Sequence, residues 1–349
     1  MDVFTSITLN YLPKARILAR SLKKYHPDWI FHLVICEKSD ALDKRENSIV
    51  LEKDLFDHVI WLSECDIPDR SAWIFKHTVV ELCTAAKGYY LHHLAHKGVE
   101  KIIYMDPDIA VFNDLNRIEE LLDDNAIVLI PHLVDFTDDP HSIADNEING
   151  AMRHGVFNFG FLAVNSKRND GARFIDWWWK RLYDYCYADY ERGLFTDQKW
   201  GDLIPSFFED YYIIRDPGYD VASWNLDKRQ VSFDHTGQLT INGMYPLRFY
   251  HFTGYDSGLG RGVIDYLTAG GFNLIVKELW TWYKKQLNLN GHAELGKQAS
   301  SYEVFDNGKK ITKEMRVLYR NRSDLQQKFR DPFVTSSEDN YYNWYSQQG

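Results

Sequence analysis

The sequence predicts an α/β protein in which helices flank a mixed, mainly parallel sheet, followed by a helical C-terminal extension. Short apolar runs alternate with helical patterns from the N-terminus onward, which is typical of parallel strands joined by right-handed crossovers. The chain has 349 residues, of which 45% are hydrophobic and 26% charged, so it has enough apolar material for a core. Beyond Gly262 the strand signals stop and helical patterns follow.

The predicted elements follow from periodicity and from breaking residues. Strands are predicted at Val3–Leu9, Trp29–Ile35, His58–Leu62, Lys101–Met105, Ile127–Ile130, Phe157–Val164 and Arg248–Phe252. Helices are predicted from Pro13 to the break at Pro27, from Trp73 to about Lys97 with an interruption at Gly88, from Ala172 to about Tyr190, and over Ile264–Leu287 and Ile311–Phe329. In the first helix, Lys14 is assigned to the polar face.

These elements predict a first domain over residues 1–261, a helical extension packed on it over 262–334, and a loose polar tail over 335–349. The extension carries Trp280, Trp282, Tyr283 and Leu287 at helical spacing beside lysines. Either these side chains pack on the first domain or they touch a membrane surface. Packing is favoured because acidic residues interrupt any sustained basic face.

Charge and cysteine content exclude several classes. The net charge is −10, which argues against sequence-independent nucleic-acid binding. The four cysteines have no zinc-site spacing, so reduced thiols in a cytoplasmic protein are expected. The N-terminus has no signal-peptide pattern, and no apolar run approaches the roughly 18 residues that span a membrane. The oligomeric state is left open.

A pair of carboxylates follows the apolar strand Lys101–Met105. Asp106 and Asp108 flank Pro107, which holds the preceding residue in an extended conformation. In extended geometry the two side chains point the same way, and their repulsion favours a bound cation such as Mn²⁺ or Mg²⁺. An aspartate-rich turn is the alternative. His251 ends a later strand-like run and is a candidate third ligand, or else a core residue.

Five short motifs resemble, in their order, the nucleotide-sugar glycosyltransferases of family 8, which have the Rossmann-like GT-A fold. They cover about Val3 to Gly254, and the chain is also similar to bacterial glycosyltransferases of uncharacterised specificity. The motifs are Thr8-Leu9-Asn10-Tyr11, Tyr104-Met105-Asp106-Pro107-Asp108, Phe157-Asn158-Phe159-Gly160-Phe161, Asp197-Gln198 and His251-Phe252-Thr253-Gly254.

The resemblance implies a role for each motif. Asp106 and Asp108 match the family's D-x-D motif, in which both aspartates contact the metal and the first also contacts the ribose; His251 matches the metal-binding histidine. The segment with Thr8, Asn10 and Tyr11 matches the one that binds the nucleotide.

The resemblance also implies residues at the transferred sugar. Asn158 matches a contact to the donor sugar, and Asp197 with Gln198 matches a pair near the anomeric carbon. From the residues alone, Asp197 is equally interpreted as a helix N-cap and Asn158 as a buried group that satisfies the backbone.

The chain departs from the family pattern at its expected diphosphate contacts. Lys87 or Lys76 stands in for a basic residue ahead of the D-x-D, and Arg261 is an alternative because the family's K-P-W segment is absent. His132 stands where the family has an acidic residue, so the acceptor side differs.

The resulting hypothesis is a cytoplasmic, metal-dependent transferase that moves a hexose from a UDP-type nucleotide sugar, with retention favoured. The acceptor would be a saccharide or lipid-linked saccharide of cell-surface polysaccharide or lipopolysaccharide, with peripheral contact at the inner membrane face as an option. Two alternatives stay open: a nucleotidyltransferase acting on a sugar phosphate, and a non-catalytic carbohydrate-binding protein that uses aromatic platforms.

Overall fold

The computed structural model describes residues 1–41, 51 and 55–348. In these ranges the strands are β1 (Asp2–Ile7), β2 (Ile30–Ile35), β3 (His58–Trp61), β4 (Lys101–Met105), β5 (Ile109–Val111), β6 (Ile127–Leu129), β7 (Phe161–Asn165), β8 (Ala188–Asp189), β9 (Leu194–Phe195), β10 (Tyr211–Ile213), β11 (Val221–Ala222), β12 (Val231–Phe233), β13 (Leu239–Ile241), β14 (Tyr245–Pro246) and β15 (Phe249–His251).

The helices lie mostly between these strands. The α-helices are α1 (Leu12–Tyr25), α2 (Arg70–Phe75), α3 (Val79–His96), α4 (Asn116–Asp124), α5 (Pro140–Ser142), α6 (Asn169–Tyr185), α7 (Ile204–Phe207), α8 (Leu259–Thr268), α9 (Ile275–Leu289), α10 (His292–Leu295), α11 (Lys313–Arg320), α12 (Ser323–Lys328) and α13 (Tyr341–Ser346). A π-helix covers Ile143–Met152, and 3₁₀ turns cover Leu9–Tyr11, Ser39–Ala41, Leu62–Glu64, Tyr190–Arg192 and Gln198–Leu203.

The central sheet has seven strands in the order β10-β6-β7-β4-β1-β2-β3. All neighbouring pairs are parallel except those that β7 makes with β4 and β6. The predicted α/β class with a mixed, mainly parallel sheet is therefore confirmed. The reversed strand was predicted over Phe157–Val164 but begins at Phe161, because residues 157–160 form the loop that leads into it.

A small second sheet lies beyond the carboxyl end of β4. In it β5 pairs antiparallel with β15, and β15 pairs parallel with β11. This pairing brings two segments together that are far apart in sequence. A separate antiparallel sheet is formed by β12, β13 and β14, which lie between β11 and β15 in the chain.

Two long predicted helices are divided where the sequence holds terminal signals. The helix predicted from Trp73 breaks before Val79, and the predicted interruption at Gly88 is wrong. Thr78 and Glu81 form a reciprocal capping box that starts α3, whereas Gly88 lies inside that continuous helix. The helix predicted over Ile264–Leu287 is likewise two helices, α8 and α9.

The C-terminal residues pack on the α/β core. Trp280, Tyr283 and Leu287 of α9 are buried in one cluster with Ile17 of α1 and Ala110 of β5. Residues 335–348 are not wholly loose, contrary to expectation, because Tyr341 of α13 is fully buried in the same cluster as Phe75. Among the helices that the structure describes, none is long and apolar enough to cross a bilayer.

Candidate active site

Two carboxylates and an imidazole meet at the carboxyl end of β4. Asp106 and Asp108 belong to the tight turn that joins β4 to β5, and the backbone N–H of Ile109 donates to the carbonyl of Asp106 across it. Because β5 pairs with β15 in a register that sets Ile109 against His251, the histidine lies beside this turn. The N–H of Phe252 donates to the carbonyl of Asp108 and continues that pairing.

The three side chains form a compact donor set. His251 Nε2 lies 3.0 Å from Asp108 Oδ1 and 3.7 Å from Asp106 Oδ2. One ligand atom from each residue lies within 4.8 Å of the others, and His251 is buried. Two carboxylate oxygens with one imidazole nitrogen are donors that suit Mn²⁺ or Mg²⁺, so the residues present fit a divalent cation.

Gly160 has no side chain, and the groups of Asn158, His251 and Asp106 lie close to where its Cβ would be. A Cβ built there would lie 2.6 Å from both Asn158 Oδ1 and His251 Cε1, and 2.9 Å from Asp106 Oδ2. Atoms do not approach so closely, so any side chain at this position would displace the candidate ligands. The glycine in the motif Phe157–Phe161 is thus required by close approach, since β7 runs directly against the end of β4.

Lys87 is the cation in contact with this centre. Its Nζ lies 3.2 Å from Asp106 Oδ1 and 2.9 Å from Asp197 Oδ2, and it donates to the carbonyl of Phe159. The side chain is buried and passes over the ring of Tyr104. Burial alone would lower the pKa of Lys87, but the two carboxylates outweigh it and raise the pKa above its usual range.

Asp197 stands at the N-cap position of the 3₁₀ helix Gln198–Leu203, but its side chain faces Lys87. Its side chain makes no capping hydrogen bond, and instead Oδ1 accepts from Thr196 Oγ1 at 3.0 Å. Thr196 has a φ of 46°, a left-handed conformation that turns the chain so that Asp197 points inward. Burial raises the pKa of Asp197 above its ordinary value, although the charge of Lys87 opposes this. The N-cap alternative therefore describes the position of Asp197 in the chain, but its side chain does not serve as the cap.

The amides of Asn158 and Gln198 line the same space but are largely engaged with backbone. Asn158 Oδ1 accepts from the N–H of Gly160 at 2.6 Å. Gln198 accepts from the N–H of Phe159 through Oε1 and donates to the carbonyl of His154 through Nε2, at 3.1 Å each. Gln198 therefore ties the 157–160 loop to the following segment, as a side chain that positions the site.

A second group of predicted residues lies on the other side of the carboxylates. Thr8 Oγ1 donates to Asn10 Oδ1 at 2.6 Å in the turn between β1 and α1. Lys14, which the helical pattern assigned to the polar face, is buried instead; its Nζ lies 3.9 Å from the centre of the Tyr11 ring and 2.6 Å from Asp256. The spacing of three residues between Tyr11 and Lys14 is about one helical turn, and this spacing could have predicted from the sequence that the two side chains touch.

Two adjoining cavities share Lys87, Asp106 and Asp108. One, of about 300 Å³, is lined by the Thr8–Tyr11 segment. The other, of about 480 Å³, is lined by the predicted residues Asn158, Asp197, Gln198 and His251. It is also lined by three side chains without a predicted catalytic or binding role, His132, His154 and Trp224. Because both cavities are lined by Asp106 and Asp108, these candidate metal ligands lie at the junction between the smaller cavity and the larger one.

Two of the predicted diphosphate contacts lie elsewhere. Lys76 follows α2 beside the ring of Tyr183, and it lines neither cavity. Arg261 is largely exposed on α8, where its Nε lies 3.1 Å from Asp265, one turn along the same helix. Lys87 is thus the predicted cation that the fold brings to the junction.

Asp220 is a residue that sequence reasoning missed. It is fully buried, its φ is 51°, and its Oδ1 lies 3.4 Å from His251 Nδ1, on the opposite side of the ring from Asp106 and Asp108. Neither of its oxygens makes a well-aligned hydrogen bond within the described residues. A carboxylate behind a ligating histidine fixes the ring orientation and its tautomer.

The charges around His251 have a direct consequence for its protonation. Burial lowers the pKa of His251, but Asp108 and Asp220 raise it well above the ordinary value. Burial conversely raises the pKa of Asp108, yet His251 brings it below the usual range. The two carboxylates therefore favour the protonated form of the imidazole, and a bound metal ion would compete with that proton for His251 Nε2.

Comparison with known proteins identifies relatives of this chain. Residues 2–177 match the family model described as "Glycosyl transferase family 8". The uncharacterized protein YfnD of Bacillus subtilis (strain 168) is 26% identical over 259 residues, which is 72% of this chain and 76% of YfnD. YfnF of the same organism is 27% identical over 179 residues, 50% of this chain and 57% of YfnF.

Solved structures give distant likenesses. Galactosyltransferase LgtC, in a complex with donor and acceptor sugar analogs, aligns with a TM-score of 0.43 and 16% identity over 73% of this chain and 88% of LgtC. The glycosyltransferase GlyE of Streptococcus pneumoniae TIGR4 aligns with a TM-score of 0.42 and 15% identity over 87% of this chain and 66% of GlyE.

Proposed function

The chain belongs to glycosyl transferase family 8 and is a glycosyltransferase, and from that premise we propose that it transfers a hexose from a UDP-type nucleotide sugar with the help of a divalent cation. Membership in the family sets aside the nucleotidyltransferase and the non-catalytic carbohydrate-binding protein. The match ends at residue 177, so the roles of Asp197 and His251 depend on geometry and on the motif resemblance.

The observation that carries the proposal is the convergence of Asp106, Asp108 and His251 beside Lys87 at the junction of the two cavities. Asp106, Asp108 and His251 would hold Mn²⁺ or Mg²⁺. When bound, the cation would neutralise charge on the diphosphate of the donor. This arrangement lets an acidic protein accept an anionic donor at one local site.

The remaining residues have distinct proposed tasks. Thr8, Asn10 and Tyr11 line the smaller cavity and would contact the nucleoside. Lys87 offers a fixed positive charge to the leaving diphosphate, where negative charge grows in the transition state. Asn158 and Asp197 line the larger cavity and would face the sugar, and Gln198 positions the loop that holds Asn158.

The acceptor proposal is a saccharide or lipid-linked saccharide of cell-surface polysaccharide or lipopolysaccharide, with the enzyme in the cytoplasm and retention as the outcome. What supports an acceptor in the larger cavity is its lining by His132 and Trp224, whose rings pack edge to face at 5.4 Å. Aromatic faces and edges are suited to the apolar side of a sugar ring.

Slow hydrolysis of a panel of nucleotide sugars tests the proposal, because it needs no acceptor. We expect release of UDP from one UDP-hexose, dependent on Mn²⁺ or Mg²⁺, in the wild-type protein and in Lys76→Met. Asp108→Asn should lose it while its circular dichroism and melting temperature stay near those of the wild type. Hydrolysis by Asp108→Asn at the wild-type rate, or without added metal, would contradict the proposal.

A further inference from the structure

A second group of potential metal ligands lies on the surface, apart from the active site. His92 and His96 are one turn apart on α3, and Asp176 projects from the neighbouring helix α6. One ligand atom from each residue lies within 4.8 Å of the others. None of the three lines either cavity of the active site.

We propose that His92, His96 and Asp176 bind Zn²⁺ and that the ion clamps α3 to α6. Two imidazoles and one carboxylate form a nitrogen-rich donor set, which favours Zn²⁺ over the hard cations that suit Asp106 and Asp108. Three protein ligands leave one position of a tetrahedral ion for water.

The orientation of the side chains prepares this site. His96 Nδ1 lies 2.9 Å from the carbonyl oxygen of His92. Because a carbonyl oxygen only accepts, Nδ1 carries the proton in this contact and Nε2 has its lone pair free to bind a metal. A backbone carbonyl in this role holds the ring and sets its tautomer, as it does behind many metal-ligating histidines.

His92 adds a second donor beside the first. Its Nε2 lies 3.5 Å from Asp176 Oδ1, and its ring centre is 4.0 Å from that of His96. Donor atoms on one tetrahedral zinc ion lie roughly 3.3 Å apart, so side-chain adjustment alone can close the set. The side chains of His92 and Asp176 are 29% and 58% exposed, which leaves an open path for the ion.

The two helices are already held in close register, which favours binding without reorganisation. Gly88 of α3 lies so near α6 that a Cβ there would be 2.9 Å from the Leu182 side chain. The same helices also hold the active site, because α3 carries Lys87 and the indole of Trp178 on α6 donates to the carbonyl of Asp197. A clamp at His92, His96 and Asp176 would stiffen that pair of helices.

Zinc binding to the full-length chain tests the site, measured by competition with a chromophoric chelator. We expect two classes of site in the wild type. His96→Gln and Asp176→Asn should each lose one class, with affinity reduced at least about 10–100-fold. Asp108→Asn should lose only the other class. His93→Gln, a histidine on the same helix outside the cluster, is the matched control and should keep both.

Thermal unfolding in the Asp108→Asn background gives a second readout that does not depend on catalysis. Zinc at 100 times its dissociation constant shifts the folding equilibrium about 100-fold toward the folded state. That shift should vanish when His96→Gln is added. Unchanged zinc binding in His96→Gln would overturn the site, and loss in His96→Gln but not in Asp176→Asn would overturn the clamp between helices. Binding only at millimolar zinc would also overturn it.

Discussion

Replacing Gly160 with alanine should disable the candidate metal centre while leaving the fold in place. The new Cβ would lie 2.6 Å from His251 Cε1 and from Asn158 Oδ1, and 2.9 Å from Asp106 Oδ2. An ordinary contact begins near 3.4 Å. The first two groups must therefore move by about 0.8 Å and the third by about 0.5 Å if the backbone stays fixed.

These displacements are large compared with what a metal site tolerates, since ligand distances are held within about 0.2 Å. We expect the Mn²⁺ affinity of Gly160→Ala to fall roughly 10–100-fold, about 1.4–2.8 kcal/mol. Overpacking should lower the free energy of unfolding by about 1–3 kcal/mol. Both quantities are measurable, the first from free Mn²⁺ by electron paramagnetic resonance and the second by urea unfolding.

Gly150→Ala is the matched control. Gly150 lines the larger cavity as well, but a Cβ there meets only the carbonyl of Asp145, at 3.3 Å. This variant should bind Mn²⁺ like the wild type. If Gly160→Ala also bound Mn²⁺ with unchanged affinity, or if both variants lost it equally, the assignment of Asp106 and His251 as ligands of one ion would be refuted.

Four further predictions concern the surroundings of this centre. Lys87→Met should weaken UDP binding in the presence of Mn²⁺ at least tenfold, a loss of about 1.4 kcal/mol, whereas Lys76→Met should not; equal affinities measured by calorimetry would reject Lys87 as the diphosphate contact. Asp220→Asn should reduce Mn²⁺ affinity about 10–100-fold, and normal metal titration would show that it does not orient His251. Because the pKa of His251 is raised well above 6.5, Mn²⁺ should displace a proton and its affinity should fall on acidification already from above that pH; calorimetry in buffers of different ionisation heat would detect no proton release from the protein if this is wrong. Tyr341→Ala should cost about 3–5 kcal/mol in urea unfolding, and a loss below about 1 kcal/mol would mean that α13 is dispensable.

The fold class and the D-x-D position were predictable because they depend on local patterns. An apolar run such as Lys101–Met105 fits the buried interior of a mainly parallel sheet, and the polar residues that follow it then emerge at the carboxyl edge. The division between α2 and α3 was also readable, since Thr78 and Glu81 have the spacing of a capping box. Gly88 was a misleading signal, because a glycine inside a helix can serve close packing, here against Leu182.

Residues of the site that depend on long-range register were not predictable in the same way. His251 was identified by its motif, but its contact with Asp108 requires that β5 pair with β15 in one register. Asp220 carries no local signal of its role, since it is an isolated aspartate after a turn and becomes significant only when β11 is placed beside β15. Lys14 was assigned to the polar face because a helical pattern does not include the charges of other segments, such as Asp256.

The arrangement of charges explains how one buried region can stay folded before its ligands arrive. Lys87 lies between Asp106 and Asp197, and His251 lies between Asp108 and Asp220, so two cations are each held by two carboxylates. Buried carboxylates without such partners would be costly. A metal ion at Asp106, Asp108 and His251 would supply the positive charge that a protonated imidazole otherwise supplies, while Lys87 stays beside Asp197 at the junction of the two cavities. The same pairing that compensates these carboxylates in the folded protein therefore prepares the site for an anionic substrate, and it couples metal binding to pH.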